Sequence, residues 1–319
     1  MLVNSDQLSL PLEIILNIID FVVSSSKPLP IALVRTLPTT RTLLSLTLTS
    51  RAIYPLARRL LYTHCMYISN SQKLALLLRT LTTLSQRSQS AQDPLPSITS
   101  LYLRPFAGSY VELNKARAIK QLLNIVGPTL RRLVIDMPLR SLYPEDDSDG
   151  IRPVLRSAFL DLPALEEFCS VRDELYLATE ARFPPHEPPV WSLWPKLKKL
   201  ALYNQDITAD FLRGIRKLHN IETLVLTRSD GLYETDLKQT WKNQFDDEGE
   251  VRSLDILLAN VESDHPPLIG EDRWNEDDRL KVRILNVPIS YYGDEDSIVA
   301  CQQYVKRKFL SGEPVTNWT

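Results

Sequence analysis

The stretch KLKKLALYNQDITADFLRGIRKLHNIETLVL, Lys196–Leu226, decides how the chain is built. Both of its ends carry one pattern: an apolar residue, two others, then two apolar residues separated by one. Leu197, Leu200 and Leu202 make the first instance, and Ile221, Leu224 and Leu226 the second. Apolar side chains two apart lie on one face of a strand, and the apolar residue three positions earlier closes the turn leading in. Between the two instances, DITADFLRGIRKL (206–218) opens with Asp206 or Thr208 as a cap and carries Phe211, Leu212 and Ile215 at helical spacing. Strand and helix alternating at such a period stack into a curved array with the strands on the concave side.

The pattern recurs along the chain in SITSLYL (Ile98, Leu101, Leu103), TLRRLVI (Leu130, Leu133, Ile135), ALEEFCS (Leu165 and Phe168, with Ser170 as a defect), EVRSLDI (Val251, Leu254, Ile256) and KVRILNV (Val282, Leu285, Val287). Third positions fall 32, 35, 32, 24, 30 and 31 residues apart over all seven instances. VELNKARAIKQLLNIVG (111–127) reads as a second intervening helix, with Gly127 as its stop. DSIVACQQYVKRKFL reads as a terminal capping helix with Ile298, Val305 and Phe309 inward and Lys306, Arg307 and Lys308 near its C-terminal dipole. Residues 95–290 therefore resemble an irregular leucine-rich-repeat solenoid, with Asn204 in the place of that family's asparagine after the strand, and 291–319 form its cap and tail. The resemblance implies an α/β fold whose concave face holds a target. Tyr102, Arg104, Asp136, Ala201, Tyr203, Val225 and Thr227, which flank the buried leucines, are the residues expected there.

The amino end reads differently. In LSLPLEIILNIIDFVV (Leu8–Val23), Pro11 suits the first position of a helix, and Glu13, Asn17 and Asp20 form one narrow polar stripe. Two apolar rows remain: Leu12, Leu16, Ile19 and Val23, and beside them Ile14 or Ile15, Ile18 and Val22. A small domain normally buries one row, so the second is expected to meet a partner unless the helix is wholly internal. Prolines at 28, 30 and 38 interrupt the next segment, and 24–41 reads as an inserted loop or a short turn of helix. TLLSLTLTSRAIYPLARRLLY then shows further helical spacing, with Ser50 as a cap.

In the order Leu10-Pro11-x-Glu13-Ile14, Ile18-Ile19, Leu43-Leu44-x-Leu46, Thr49-Ser50-Arg51, Leu56-Ala57 and Leu60-Leu61-Tyr62, residues 1–68 resemble an F-box, of the kind found in filamentous fungi. That resemblance implies a three-helix module that docks on a Skp-family adaptor, and through it on a cullin, within a ubiquitin ligase. The adaptor-binding positions carried over are Leu10, Pro11, Ile14, Ile18, Leu43 and Leu46. Residues 69–94 read as a linker helix. The expected function is that of a substrate receptor; the alternative is a repeat-built scaffold protein in which 10–62 merely cap the array.

Composition fits a soluble globular chain: 44% hydrophobic, 24% charged, and net charge -2, which gives no global attraction to nucleic acid or membrane. Residues 1–94 are basic and 231–279 acidic, the latter read as solvated loop. Cys65, Cys169 and Cys301 are odd in number, far apart and embedded in apolar runs, and no export signal precedes them, so a reducing cytoplasmic or nuclear setting is expected. Catalytic signals are weak. No phosphate loop or nucleophile elbow occurs, and His64, His186, His219 and His265 lack partners at metal spacing. His64 beside Cys65 reads as a packed pair, and DDSD (146–149) and NEDD (275–278) lack the alternation of a calcium loop. FPPHEPPVW (183–191) reads as a stiff excursion from the array, the alternative being a docking segment for a proline-binding domain. No cofactor and no metal are expected.

Overall fold

The computed structural model describes residues 10–24, 30–88, 97–106, 108, 110–180, 187–243, 253–271, 279–289 and 295–318. Each instance of the sequence pattern falls at a strand, and one further strand precedes them. In chain order these are β1 (Tyr67–Ile68), β2 (Ser100–Leu103), β3 (Arg132–Ile135), β4 (Glu167–Ser170), β5 (Lys199–Tyr203), β6 (Thr223–Thr227), β7 (Leu254–Asn260) and β8 (Leu280–Asn286). They make one open parallel sheet whose spatial order is the sequence order. Parallel neighbours require crossover connections, and among the described residues five α-helices lie in them: α4 (Ser71–Ser88), α5 (Leu113–Val126), α6 (Ile151–Leu160), α7 (Ala209–Arg216) and α8 (Leu237–Lys242). All five pack on the same face, where their apolar stripes meet Leu101, Leu103, Leu133, Phe168, Leu200, Leu224 and Ile256 in one continuous core.

Local signals explain several boundaries. Thr208 caps α7 by accepting a hydrogen bond from the Phe211 amide at 3.2 Å. Both oxygens of Asp147 accept amides at the start of α6, from Ile151 and Arg152 at 2.7 Å each, so DDSD serves as a helix cap. Gly127 ends α5 in a right-handed conformation; a Cβ there would stand 2.5 Å from the Asp161 carbonyl oxygen, so close approach to the end of α6 demands glycine. Asn204 and Arg228 occupy equivalent places one residue after β5 and β6, and both have positive φ, at 56° and 48°. The Asn204 side chain donates to Asp230 at 2.9 Å.

The N-terminal helices α1 (Leu12–Ser24), α2 (Pro38–Leu46) and α3 (Tyr54–His64) form a bundle with its own small core of Ile19, Val23, Leu43 and Leu60. Ser50 caps the turn into α3 by accepting from the Ile53 amide at 3.2 Å. The last helix, α9 (Ser297–Ser311), is capped by Asp296 and ended by Gly312 at φ 72°.

Four expectations are corrected. First, α4 is no linker: Leu74, Leu77, Leu78 and Leu81 are buried in the main core, and β1 already belongs to the sheet at Tyr67. Second, the last two strands pair differently from the pattern's spacing. Leu226 is level with Leu258, not Ile256, and Leu258 with Ile284, so Leu285 and Val287 point to the face opposite the helices. A one-residue slip in a strand exchanges its faces, and the triplet KVRILNV conceals such a slip. Third, Ile31, Ala32 and Leu33, placed by their prolines in a surface insertion, are buried. The Ile31 amide donates to the Leu310 carbonyl at 2.9 Å and the Leu33 amide to the His64 carbonyl at 2.8 Å, so this segment binds the bundle, the sheet and α9 together. Fourth, α9 does not cap an end of the array. It lies across the second face of the sheet, against β3, β6 and β7. Residues 183–186 of the proline stretch, NEDD, and 244–252 of the acidic stretch lie outside the described residues; Val190 and Trp191, which close the former, are in the main core.

Candidate functional site

On α1 the apolar residues separate into two groups. Ile19 and Val23 are buried against α2 and α3, with Ile15 packed beside them. Leu10, Ile14, Ile18 and Phe21 face outward, with Ile18 53% and Phe21 67% exposed. Ile14, Ile18 and Phe21, spaced four and three, lie in one row on the helix, and Leu10 stands just before its first turn. Glu13, Asn17 and Asp20 are exposed as expected, and Asp20 pairs with Arg59 of α3 at 3.6 Å across an open groove that Leu16, Pro55 and Leu56 also line. Leu12, which shares a row with the buried Ile19 and Val23, is 43% exposed because it stands in the first turn.

Of the six positions expected to meet an adaptor, Leu10, Pro11, Ile14 and Ile18 are exposed. The other two are not free: Leu43 is fully buried in the bundle core, and Leu46 packs partly against it. On α2 the periodicity presents Leu44 to solvent instead, with Leu48, 88% exposed, just beyond the helix. Sequence reading misses these two because so short an apolar run does not say which of its sides meets α1 and α3.

The seven positions expected to meet a target are mostly closed. Tyr102, Asp136, Ala201, Tyr203, Val225 and Thr227 are buried, and Arg104 alone remains partly exposed. Tyr102, Val134, Cys169, Ala201, Val225 and Leu257 form the middle row of the sheet, and Ala300, Cys301, Tyr304, Val305 and Phe309 of α9 pack on it with Val315 and Trp318. Tyr67 stacks on Tyr102 at 4.2 Å between ring centroids, and Phe309 meets Trp318 edge-on at 5.6 Å. The strand residues that would greet a target thus hold the chain's own last helix.

Polar clusters fix α9 at two places. Near its start, Arg228 donates to Ser297 Oγ at 3.1 Å, to Asp264 at 2.7 Å and to Asn260 at 3.1 Å. The Arg228 bond holds the Asp264 carboxyl below the ordinary carboxylate value. Further along, Lys306 Nζ reaches Asp136 Oδ2 at 3.5 Å. That buried carboxylate also accepts from Tyr102 OH at 2.9 Å and Arg172 Nε at 2.6 Å, and Arg104 Nε lies 3.8 Å away. Desolvation pushes the Lys306 ammonium below its usual value, opposed by Asp136 and assisted by Arg104 and Arg172.

One buried acid stands apart. Asp173, after β4, accepts from the Leu175 amide at 2.7 Å and Ser170 Oγ at 3.1 Å, yet burial and the neighbouring Glu174 push its carboxyl up to about 7. Glu174 is also shifted upward, chiefly by burial. His64 is held low by burial and by Arg132, and its neighbour Cys65 accepts a long bond from Thr40 at 3.7 Å, so the two are packed at the end of α3. All three cysteines are free thiols. Among the described residues, no group of three His, Cys, Asp or Glu side chains is placed to hold a metal ion, and no helix is long and apolar enough to cross a membrane.

Comparison with protein families, characterised proteins and solved structures finds no match to this chain.

Proposed function

We propose that this chain is a non-catalytic substrate receptor. In this reading α1–α3 are an F-box-like module that binds a Skp-family adaptor, and the sheet with its helices is an irregular leucine-rich-repeat-like array that holds a target protein near a ubiquitin-charged enzyme. Proximity supplies the rate: two partners held on one frame react at high effective concentration, so the receptor needs no catalytic residue of its own.

The observation that carries the reading is the outward row Leu10, Ile14, Ile18 and Phe21 on a bundle that already has a complete small core. Exposed apolar residues aligned on one helix face mark a docking surface, and each such side chain contributes roughly 1.5–3 kcal/mol when a partner covers it. Since α9 fills the middle of the sheet, a target meets the outward side of α9 and the rim of the strands, where Arg104, Val299 and Arg307 are exposed or partly so.

One observation favours the scaffold reading: Ile31–Leu33 and the contact of α3 with β2 tie the bundle to the array as a cap would be tied. The two roles use different sides of α1–α3. Titrating the full chain with a purified Skp-family adaptor separates them. Leu10→Asp with Pro11→Ala is expected to abolish binding while the unfolding free energy stays within about 0.5 kcal/mol of the parent. Undiminished adaptor binding, or none by the parent chain, removes the ligase reading and leaves the scaffold.

A further inference from the structure

The polar cluster on Asp136 holds more positive charge than its fixation of α9 requires. Arg104, Arg172 and Lys306 each approach the same carboxylate within 4 Å, so one negative charge faces three positive ones. The fourth partner, Tyr102, donates its hydroxyl proton and brings no charge. Both arginines turn Nε toward Asp136. Arg104 and Arg172 are partly open to solvent, whereas Asp136 lies beneath them. The cluster sits just past the C-terminal ends of β2, β3 and β4, where α9 crosses.

We propose that Arg104, Arg172 and Lys306 form a binding site for a dianionic oxyanion of the phosphate class, seated over Asp136 at the rim of the sheet. The charge count sets the ligand's charge: three cations less one carboxylate leave +2, which a dianion neutralises and a monocarboxylate does not. Chemistry sets its shape, because two guanidinium groups gathered on one carboxylate carry donors suited to tetrahedral oxyanions. Desolvation and the two arginines already depress the Lys306 ammonium, as expected where positive charges crowd without full compensation. The site does not depend on the adaptor reading, since no residue of α1–α3 takes part.

The experiment uses the full chain with inorganic phosphate, acetate and chloride at equal ionic strength. Saturable heat of binding and a rising unfolding midpoint are expected with phosphate alone, since a ligand that binds only the folded state stabilises it. Arg104→Gln is expected to weaken phosphate binding about tenfold, the loss of one charge-assisted donor set, without moving the midpoint in chloride. The Arg104 side chain makes a single long ion-pair contact and is partly solvated, so this variant is expected to fold. A phosphoserine peptide run beside inorganic phosphate identifies the source: tighter binding of the peptide assigns the phosphate to a protein, equal binding to a small molecule, and both support the site. Equal response to acetate and phosphate, no response to phosphate, or full binding by Arg104→Gln overturns the proposal.

Discussion

Ile18 and Ile19 are neighbours on α1, as Leu101 and Tyr102 are neighbours on β2. In both pairs the side chains point different ways, but the outcomes differ. Ile19 is buried and Ile18 is 53% exposed, whereas Leu101 and Tyr102 are both buried. The bundle covers one side of its helix and stops. The sheet covers both sides, with α4–α8 on one and α9 with Ile31 and Ala32 on the other. Apolar surface left over at the amino end is therefore a local property of α1 and α2, available to a partner, while the middle row of the sheet has none to spare.

The contrast can be broken at the array first. Phe309→Ala in α9 removes a buried ring that packs on Trp318 and the sheet, and should lower stability by about 3–5 kcal/mol in urea melts. Adaptor binding by the folded fraction should be unchanged. A loss under about 1 kcal/mol would mean that α9 rests on the sheet without closing it.

Asp173 gives an effect of the next size, on the order of a few kcal/mol, and one with a sign. Its carboxyl is raised in the fold to about 7 from an ordinary 3.8, so the folded chain keeps a proton that the unfolded chain releases. This stabilising contribution is complete below about pH 4 and is lost as pH rises to about 7. Asp173→Asn should remove that decline, so the difference in unfolding free energy between parent and variant should change steadily across this window. A constant difference contradicts it.

Gly127→Ala should cost about 1–3 kcal/mol by forcing α5 away from the end of α6, read from the same melts. Smallest of all, Leu48→Ser on the bundle surface should change stability by no more than about 0.5 kcal/mol, because its side chain is almost wholly solvated already.

The strands are legible because their signal is local. Leu101 and Leu103, Leu133 and Ile135, Leu200 and Leu202, and Leu224 and Leu226 alternate at the period of a strand and need no distant information. The place of α9 is not legible from its own residues, since nothing in the spacing of Tyr304, Val305 and Phe309 says which surface they meet. A clue stands in the strands. The residues between the paired apolar positions, Tyr102, Val134, Cys169, Ala201 and Val225, are nearly all apolar, and a parallel strand apolar at every position is buried on both faces. The same feature removes these strands from the expected target surface. Asp136, the charged residue beside that row, keeps its polarity because Arg104, Arg172 and Lys306 converge on it from three parts of the chain, a meeting that sequence separation hides. On α1 the two apolar rows can be read but not which faces inward, because that depends on where α2 and α3 lie. Leu43 is misplaced on the outer surface for the same reason.

The most direct test sets Ile18→Asp against Ile19→Asp in the full chain, with urea unfolding and adaptor titration measured on each. Ile18→Asp should keep the parent's stability within about 0.5 kcal/mol and lose the adaptor, while Ile19→Asp should unfold the bundle, since an unpaired charge is then forced into its core. Equal destabilisation by the two substitutions, or unchanged adaptor binding by Ile18→Asp, would contradict a helix that buries one side within its own bundle and offers the other to a partner.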